Sequence, residues 1–280
     1  MLSMDKLIID TDIGSDIDDA LALTLVIRAG INVPLITTVH GDTKKRARIA
    51  KKLTDLLDVN IPIVAGEQSP IKQRHIFWYG YEGHGLISDD DKIDTSSIKD
   101  NAPEAIAETI YQNPGNISIA GIGPLTNIAK AFQRYPDLPG KINKIYLMGG
   151  IASRPTEFVQ TYRAHNFKVD PEACDIVFDA DVDKILITTE ISKKTSLTFD
   201  DLTYFEKRKD DKILPLLACG ARYWMNHINY DCAYLYDPLT VAHHINPDLT
   251  SKLINGRTSV ALDLKEDFKK MFLDIITRNN

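Results

Sequence analysis

The chain has 280 residues, 44% of them hydrophobic, with a formal net charge of −6 at pH 7 and a pI near 5.7. Its length and apolar content suffice for one large α/β domain with a sizeable core, and its acidic balance argues against nucleic acid as a partner. The three cysteines, Cys174, Cys219 and Cys232, follow no metal-ligand spacing and fit free thiols in a reducing compartment.

The chain enters its first strand within about six residues and shows no signal-peptide pattern. No apolar run nears the roughly 20 residues that span a membrane, so a cytoplasmic protein without a membrane partner is expected. In chain order, apolar runs at 7–9, 34–39, 62–65, 117–120, 145–148 and 185–188 read as strands. Helical patterns stand between them at 18–28, 44–57, 103–112 and 124–134. This alternation predicts an α/β fold: a single domain spanning 1–280, with a mainly parallel, Rossmann-like central sheet flanked by helices on both faces. Ligands of such sheets bind beyond the carboxyl ends of the strands. The last third reads as more helical, with candidates at 213–228, 237–245 and 266–277, and Asn255-Gly256 reads as a hairpin turn. The stretch from about 68 to 101 is long and poorly periodic, and loops of that length are often functional lids.

The most informative segment follows the first strand: Asp10-Thr11-Asp12-Ile13-Gly14-Ser15-Asp16-Ile17-Asp18-Asp19-Ala20. Five carboxylates fall within ten residues, and like charges this close repel. Short-spaced carboxylate oxygens with a glycine for a tight bend suit a hard divalent cation such as Ca²⁺. The plainer reading is an acidic helix cap, since Ser15 with Asp18 three residues on fits a capping box. A cap needs one or two acids, so the metal reading is preferred.

The segment resembles the N-terminal DxDPGxDD signature of the inosine/uridine-preferring nucleoside hydrolases, with Ile13 for the usual Pro and two extra residues between Gly14 and Asp18-Asp19. Four further segments resemble the same family in the same order. Gly123-Pro124-Leu125-Thr126-Asn127-Ile128-Ala129 is similar to its GPLTNIA, and Leu147-Met148-Gly149-Gly150 to its LMGG. Asn166 through Asp170-Pro171-Glu172-Ala173 is similar to its EFN…DPEAA region, where Asp170 and Pro171 read as a structural N-cap and first-turn proline. Tyr236-Asp237-Pro238 stands where the family has His-Asp-Pro.

The resemblance implies a nucleoside hydrolase fold and Ca²⁺-dependent hydrolysis of the N-glycosidic bond of a nucleoside or related ribosyl compound, by a homo-oligomer. It implies Asp12 as general base and ligand, with Asp19, the Thr126 carbonyl and Asp237 completing the metal set; Asp16 or Asp18 replaces Asp19 if the insertion is absorbed later in the loop. Asp237 is expected to cap its helix as well. Asp18 and Asn166 would hold the ribose hydroxyls, and Met148 would face the sugar or else the core. Asp42, in His40-Gly41-Asp42 after the second strand, stands where the family has Asn and also suits an N-cap.

Two further positions depart from the family. Ala164 replaces the Glu that contacts the 5′-hydroxyl, and Tyr236 replaces the His that helps the base depart. Tyr can donate a proton, though its pKa near 10 makes it a weaker acid at neutral pH. The aromatic run Phe77-Trp78-Tyr79-Gly80-Tyr81 reads as a base-stacking surface or a structural patch, and His84 beside it is a candidate catalytic residue. His165, His227, His243 and His244 read as surface or core histidines. Two alternatives come from other classes. One is a haloacid dehalogenase-like phosphatase with Asp10 as nucleophile. The other is a family member that binds a nucleoside or sugar without turnover.

Overall fold

The computed structural model describes residues 5–72, 79–150 and 164–278. Its first half is the alternation expected: β1 (Lys6–Thr11), α1 (Asp18–Arg28), β2 (Ile36–Thr38), α2 (Thr43–Leu56), β3 (Ile63–Ala65), β4 (Lys99–Asp100), α3 (Ala102–Tyr111), β5 (Ile117–Gly121), α4 (Thr126–Arg134) and β6 (Lys144–Met148). The short helix α5 (His165–Val169) and α6 (Pro171–Asp179) lead to β7 (Lys184–Ile187) and α7 (Thr189–Ser192). A small hairpin-like pair, β8 (Ser196–Thr198) and β9 (Cys232–Tyr234), brackets α8 (Phe199–Lys207) and α9 (Leu214–Ile228). The chain continues with α10 (Tyr236–Ile245), β10 (Thr250–Asn255), β11 (Thr258–Leu264) and α11 (Phe268–Ile276).

Nine strands form one sheet in the order β10-β11-β7-β6-β5-β1-β2-β3-β4, parallel except for the β10–β11 pair. Central strands covered on both faces read as continuous apolar runs, and β1 does. Its side chains alternate between two cores. Leu7 and Ile9 enter the layer built with α1, α2, α9, α10 and α11, and Ile8 enters the opposite layer with α3, α4 and α6. Ile9 stands level with Ile36 of β2 and Ala120 of β5, so the loops after β1, β2 and β5 open at one level. The chain runs from β1 to β2 on one side and reaches β5 on the other, which makes the β1–β5 seam a switch point where such sheets take ligands.

Several local expectations are corrected. The N-cap of α1 is Ile17, without a side-chain bond, so Ser15 and Asp18 form no capping box. Asp237 is the second residue of α10, not its cap, which is Leu235. By contrast Asp170 does cap α6, accepting the Ala173 N–H at 3.1 Å. The hairpin turn is present but centred on Gly256 and Arg257, because Asn255 pairs with Thr258. The last third holds four strands that its periodicity did not announce, and β4 lies inside the aperiodic stretch before α3. Among the described residues no helix is long and apolar enough to cross a membrane.

Candidate active site

Between β1 and α1 the acidic loop bends at Gly14, whose φ of +114° disfavours any side chain; a Cβ there would also stand 2.3 Å from Ile49 Cδ1. The Thr11 hydroxyl donates both structure and polarity to the loop: it donates to Asp19 Oδ1 and accepts the Ile13 N–H at 3.1 Å. The Asp16 carboxylate accepts the N–H of Ile17 at 2.6 Å. Asp10 is turned away. It is fully buried, with Oδ1 taking hydrogen bonds from Thr37 Oγ1 at 2.6 Å and Asn127 Nδ2 at 2.7 Å.

The loop borders a cavity of about 600 Å³. Its polar wall holds Asp12, Asp16, Asp18, Asp19, Asn166 and Asp237, and its aromatic wall holds Trp224, Tyr230, Tyr234 and Tyr236. Asp18, Asp19 and Asp237 are buried, and each offers a carboxylate oxygen within 4.8 Å of the others. Burial, first, and then the neighbouring acids push all three carboxyls well above the usual range. Burial likewise raises Asp16 to about 7. Oxygen ligands gathered this way, at a cost in mutual repulsion, fit a divalent cation, which would offset that repulsion.

Of the residues expected at the site, Asp12, Asp18, Asp19, Met148, Asn166, Tyr236 and Asp237 line the cavity. The Asn166 amide nitrogen donates to the carbonyls of Ile122 at 2.7 Å and Met148 at 3.3 Å, and its carbonyl oxygen is a further hydrogen-bond acceptor at the cavity. The Asp12 carboxylate is outside the converging triad, yet its charge is felt by Asp18, Asp19 and Asp237. Tyr236 is pushed upward by burial and then by Asp18 and Asp16, which makes it a weaker acid still.

Thr126, Asp42 and His84 do not line the cavity. Thr126 opens α4, buried, with its hydroxyl donating to Asp170 Oδ2 at 2.6 Å. Asp42 is the N-cap of α2 and accepts the Lys45 N–H at 3.0 Å. His84 is exposed and stacks on Tyr223, with ring centroids 4.8 Å apart. Phe77 and Trp78 lie outside the described residues, and Tyr79 and Tyr81 are exposed. His243 and His244 are core residues and His227 is at the surface, as expected. His165 is not: it lines the cavity at the start of α5, and burial lowers its pKa. Trp224, Tyr230 and Tyr234 also reach the cavity without having been marked in the sequence. Tyr234 adjoins a motif, but nothing local marked the other two.

The chain matches the model of the inosine-uridine preferring nucleoside hydrolases over residues 7–278. It is 29% identical to a probable uridine nucleosidase 2 of Oryza sativa subsp. japonica over 284 residues, covering 94% of this chain and 83% of that protein. It is 31% identical to uridine nucleosidase 1 of Arabidopsis thaliana over 258 residues, covering 88% of this chain and 75% of that protein. Among solved structures its fold is similar to that of a plant nucleoside hydrolase, with a TM-score of 0.79, 23% identity and 98% of each chain covered.

Proposed function

The chain belongs to the inosine-uridine preferring nucleoside hydrolase family, and on that premise we propose that it cleaves the N-glycosidic bond of a nucleoside in a Ca²⁺-dependent reaction, giving a free base and ribose. The observation that carries this reading is the convergence of Asp18, Asp19 and Asp237 in a cavity that also holds Asp12, Asn166 and an aromatic wall. A phosphatase reading is set aside by the family match and by Asp10, which is buried among Thr37 and Asn127 and does not line the cavity.

We assign Asp12, Asp19 and Asp237 to the metal and, by resemblance to the family alone, the Thr126 carbonyl, although Thr126 does not line the cavity; the position of Asp18 in the triad supports its joining them. A calcium ion held there would offset the repulsion among the carboxylates and make a neighbouring water easier to deprotonate. Asp12 takes the proton of the attacking water. Oxygen attacks the anomeric carbon as the bond to the base nitrogen breaks, through an oxocarbenium-like transition state, and the electron pair leaves with the base. The Asn166 carbonyl and Asp18 hold ribose hydroxyls, and Met148 lies against the sugar. Trp224, Tyr230 and Tyr234 offer flat faces to the base. Of the two proton donors expected from the sequence, Tyr236 reaches the cavity, while His84 stands outside it. A homo-oligomer belongs to the same proposal by resemblance to the family, and a cytoplasmic location belongs to it as the expectation from the sequence.

The experiment is a nucleoside panel with Ca²⁺ present, in which base and reducing sugar are both quantified. Equal amounts of the two products support the reading. Saturable binding without either product overturns it.

A further inference from the structure

Arg46, on α2, is fully buried. Arginine is almost never so placed unless its donors are used, and here they converge on one loop. Nε donates to the His40 carbonyl at 2.7 Å. One terminal nitrogen donates to the carbonyls of Asp12 and Ile13, the latter at 2.9 Å. The other donates to Ser15 Oγ at 3.2 Å and lies 3.8 Å from Glu82 Oε1. Glu82, 1% exposed, accepts the N–H groups of Asp42 at 3.3 Å and Gly80 at 2.8 Å. Beside it, the Gly83 N–H donates to the Gly14 carbonyl at 2.8 Å. One buried ion pair thus ties together the loops after β1 and β2 and the segment around Gly80–Gly83.

Of these three segments only the loop after β1 carries the carboxylates of the cavity. Those carboxylates repel, so the loop tends to open unless its backbone is held. Arg46 grips it at Asp12, Ile13 and Ser15, at the point where the assigned base sits. We propose that Arg46 and Glu82 are positioning residues for the reaction of the preceding section, on which reading this rests: the pair fixes the backbone of residues 12–15 and so holds the Asp12 carboxylate in register with Asp18, Asp19 and Asp237. Neither residue lines the cavity, and both act through Asp12. A lysine at 46 keeps the charge but, as a point donor, cannot span the same acceptors.

The test uses the full chain with Arg46→Lys and Glu82→Gln, each alone and in an Asp12→Asn background, with circular dichroism and thermal unfolding to confirm the fold. In Arg46→Lys, kcat falls about 10–100-fold while KM changes less than about threefold. In the Asp12→Asn background the same substitution lowers kcat less than about twofold, because the group it positions has lost its role. Glu82→Gln keeps size and an acceptor oxygen and shows the same pattern with a smaller loss; it decides the matter should Arg46→Lys fail to fold. A second readout needs no turnover: calorimetric Ca²⁺ affinity weakens about 10–100-fold in Arg46→Lys. Full multiplicative losses in the Asp12→Asn background, or wild-type kcat and Ca²⁺ affinity in both variants, overturn the proposal. A wild-type chain that binds Ca²⁺ without turnover overturns the functional reading instead, and the calorimetric arm then decides this one.

Discussion

Gly123 lies against Asp12 across the β1–β5 seam: a Cβ built on Gly123 would stand 2.8 Å from the Asp12 backbone nitrogen and 3.0 Å from its Oδ1. The φ of this glycine is not left-handed, so the constraint is one of space. Gly123→Ala must therefore push Asp12 or the β5 loop. The expected stability loss is about 1–3 kcal/mol for overpacking. The expected loss in kcat is about 10²-fold, as for a displacement on the order of 1 Å at a reacting group. Denaturant unfolding and steady-state kinetics on the same preparation check both.

Asp12→Asn keeps the shape of the side chain but cannot accept a proton from water. Turnover is expected to fall about 10²–10⁴-fold with the fold intact. Near-normal kcat in this variant removes Asp12 as the base.

The fold was legible where side-chain period and strand ends coincide. The Leu7–Ile8–Ile9 run is shared between two cores, and that is why it reads as a buried strand. The acidic loop was legible because its carboxylates are contiguous in the chain. The aromatic wall was not. Trp224 sits at 8% exposure on α9, whose apolar pattern any core helix would show, and only the tertiary fold brings it to the cavity. The same holds for Arg46, which reads as one more basic residue of α2 until its acceptors on the loops after β1 and β2 are seen. Asp42 illustrates the converse: the motif offered it to the site and its residue type to a helix N-cap, and the cap is what the structure shows, with Asp42 off the cavity lining.

A pH dependence of stability follows from His243. It is fully buried, with ring nitrogens 2.7 Å from the Leu239 carbonyl and 2.9 Å from Thr250 Oγ1, and burial lowers its pKa from 6.5 to about 4. The fold thus favours the neutral ring. Above the unfolded pKa both states are neutral and the group has no effect. As pH falls from about 6.5 toward 4 the unfolded chain takes up a proton that the folded chain does not, and stability declines, by about 3 kcal/mol at most. The raised carboxyls of Asp16, Asp18, Asp19 and Asp237 act in the opposite sense over the same window. The His243 contribution is therefore read as the difference between the wild type and His243→Gln in denaturant unfolding between pH 7 and 4, the variant losing less stability, or gaining more, as pH falls. An unchanged slope in the variant assigns the acid sensitivity elsewhere.

Common ribonucleosides are expected to be poor substrates. Ala164, on the cavity wall, stands where the family has a Glu for the 5′-hydroxyl, a contact of about 1–3 kcal/mol. Tyr236, also on the wall, is held a weaker acid than usual by burial and by Asp18 and Asp16. For inosine, uridine, cytidine and adenosine kcat/KM should fall below the range of about 10⁴–10⁸ M⁻¹s⁻¹ that enzymes show on their own substrates. A value within that range on any of the four shows that these departures do not matter.

The most direct test of the account is reducing-sugar release from the best nucleoside of the panel by the chain stripped with a chelator and then titrated with Ca²⁺. The buried carboxylates Asp18, Asp19 and Asp237, with Asp12 on the same wall, require that release be lost on stripping and return saturably with Ca²⁺. They require also that Asp237→Asn shift that titration to higher Ca²⁺. Undiminished release by the stripped chain, or none at saturating Ca²⁺ although the nucleoside binds, contradicts it.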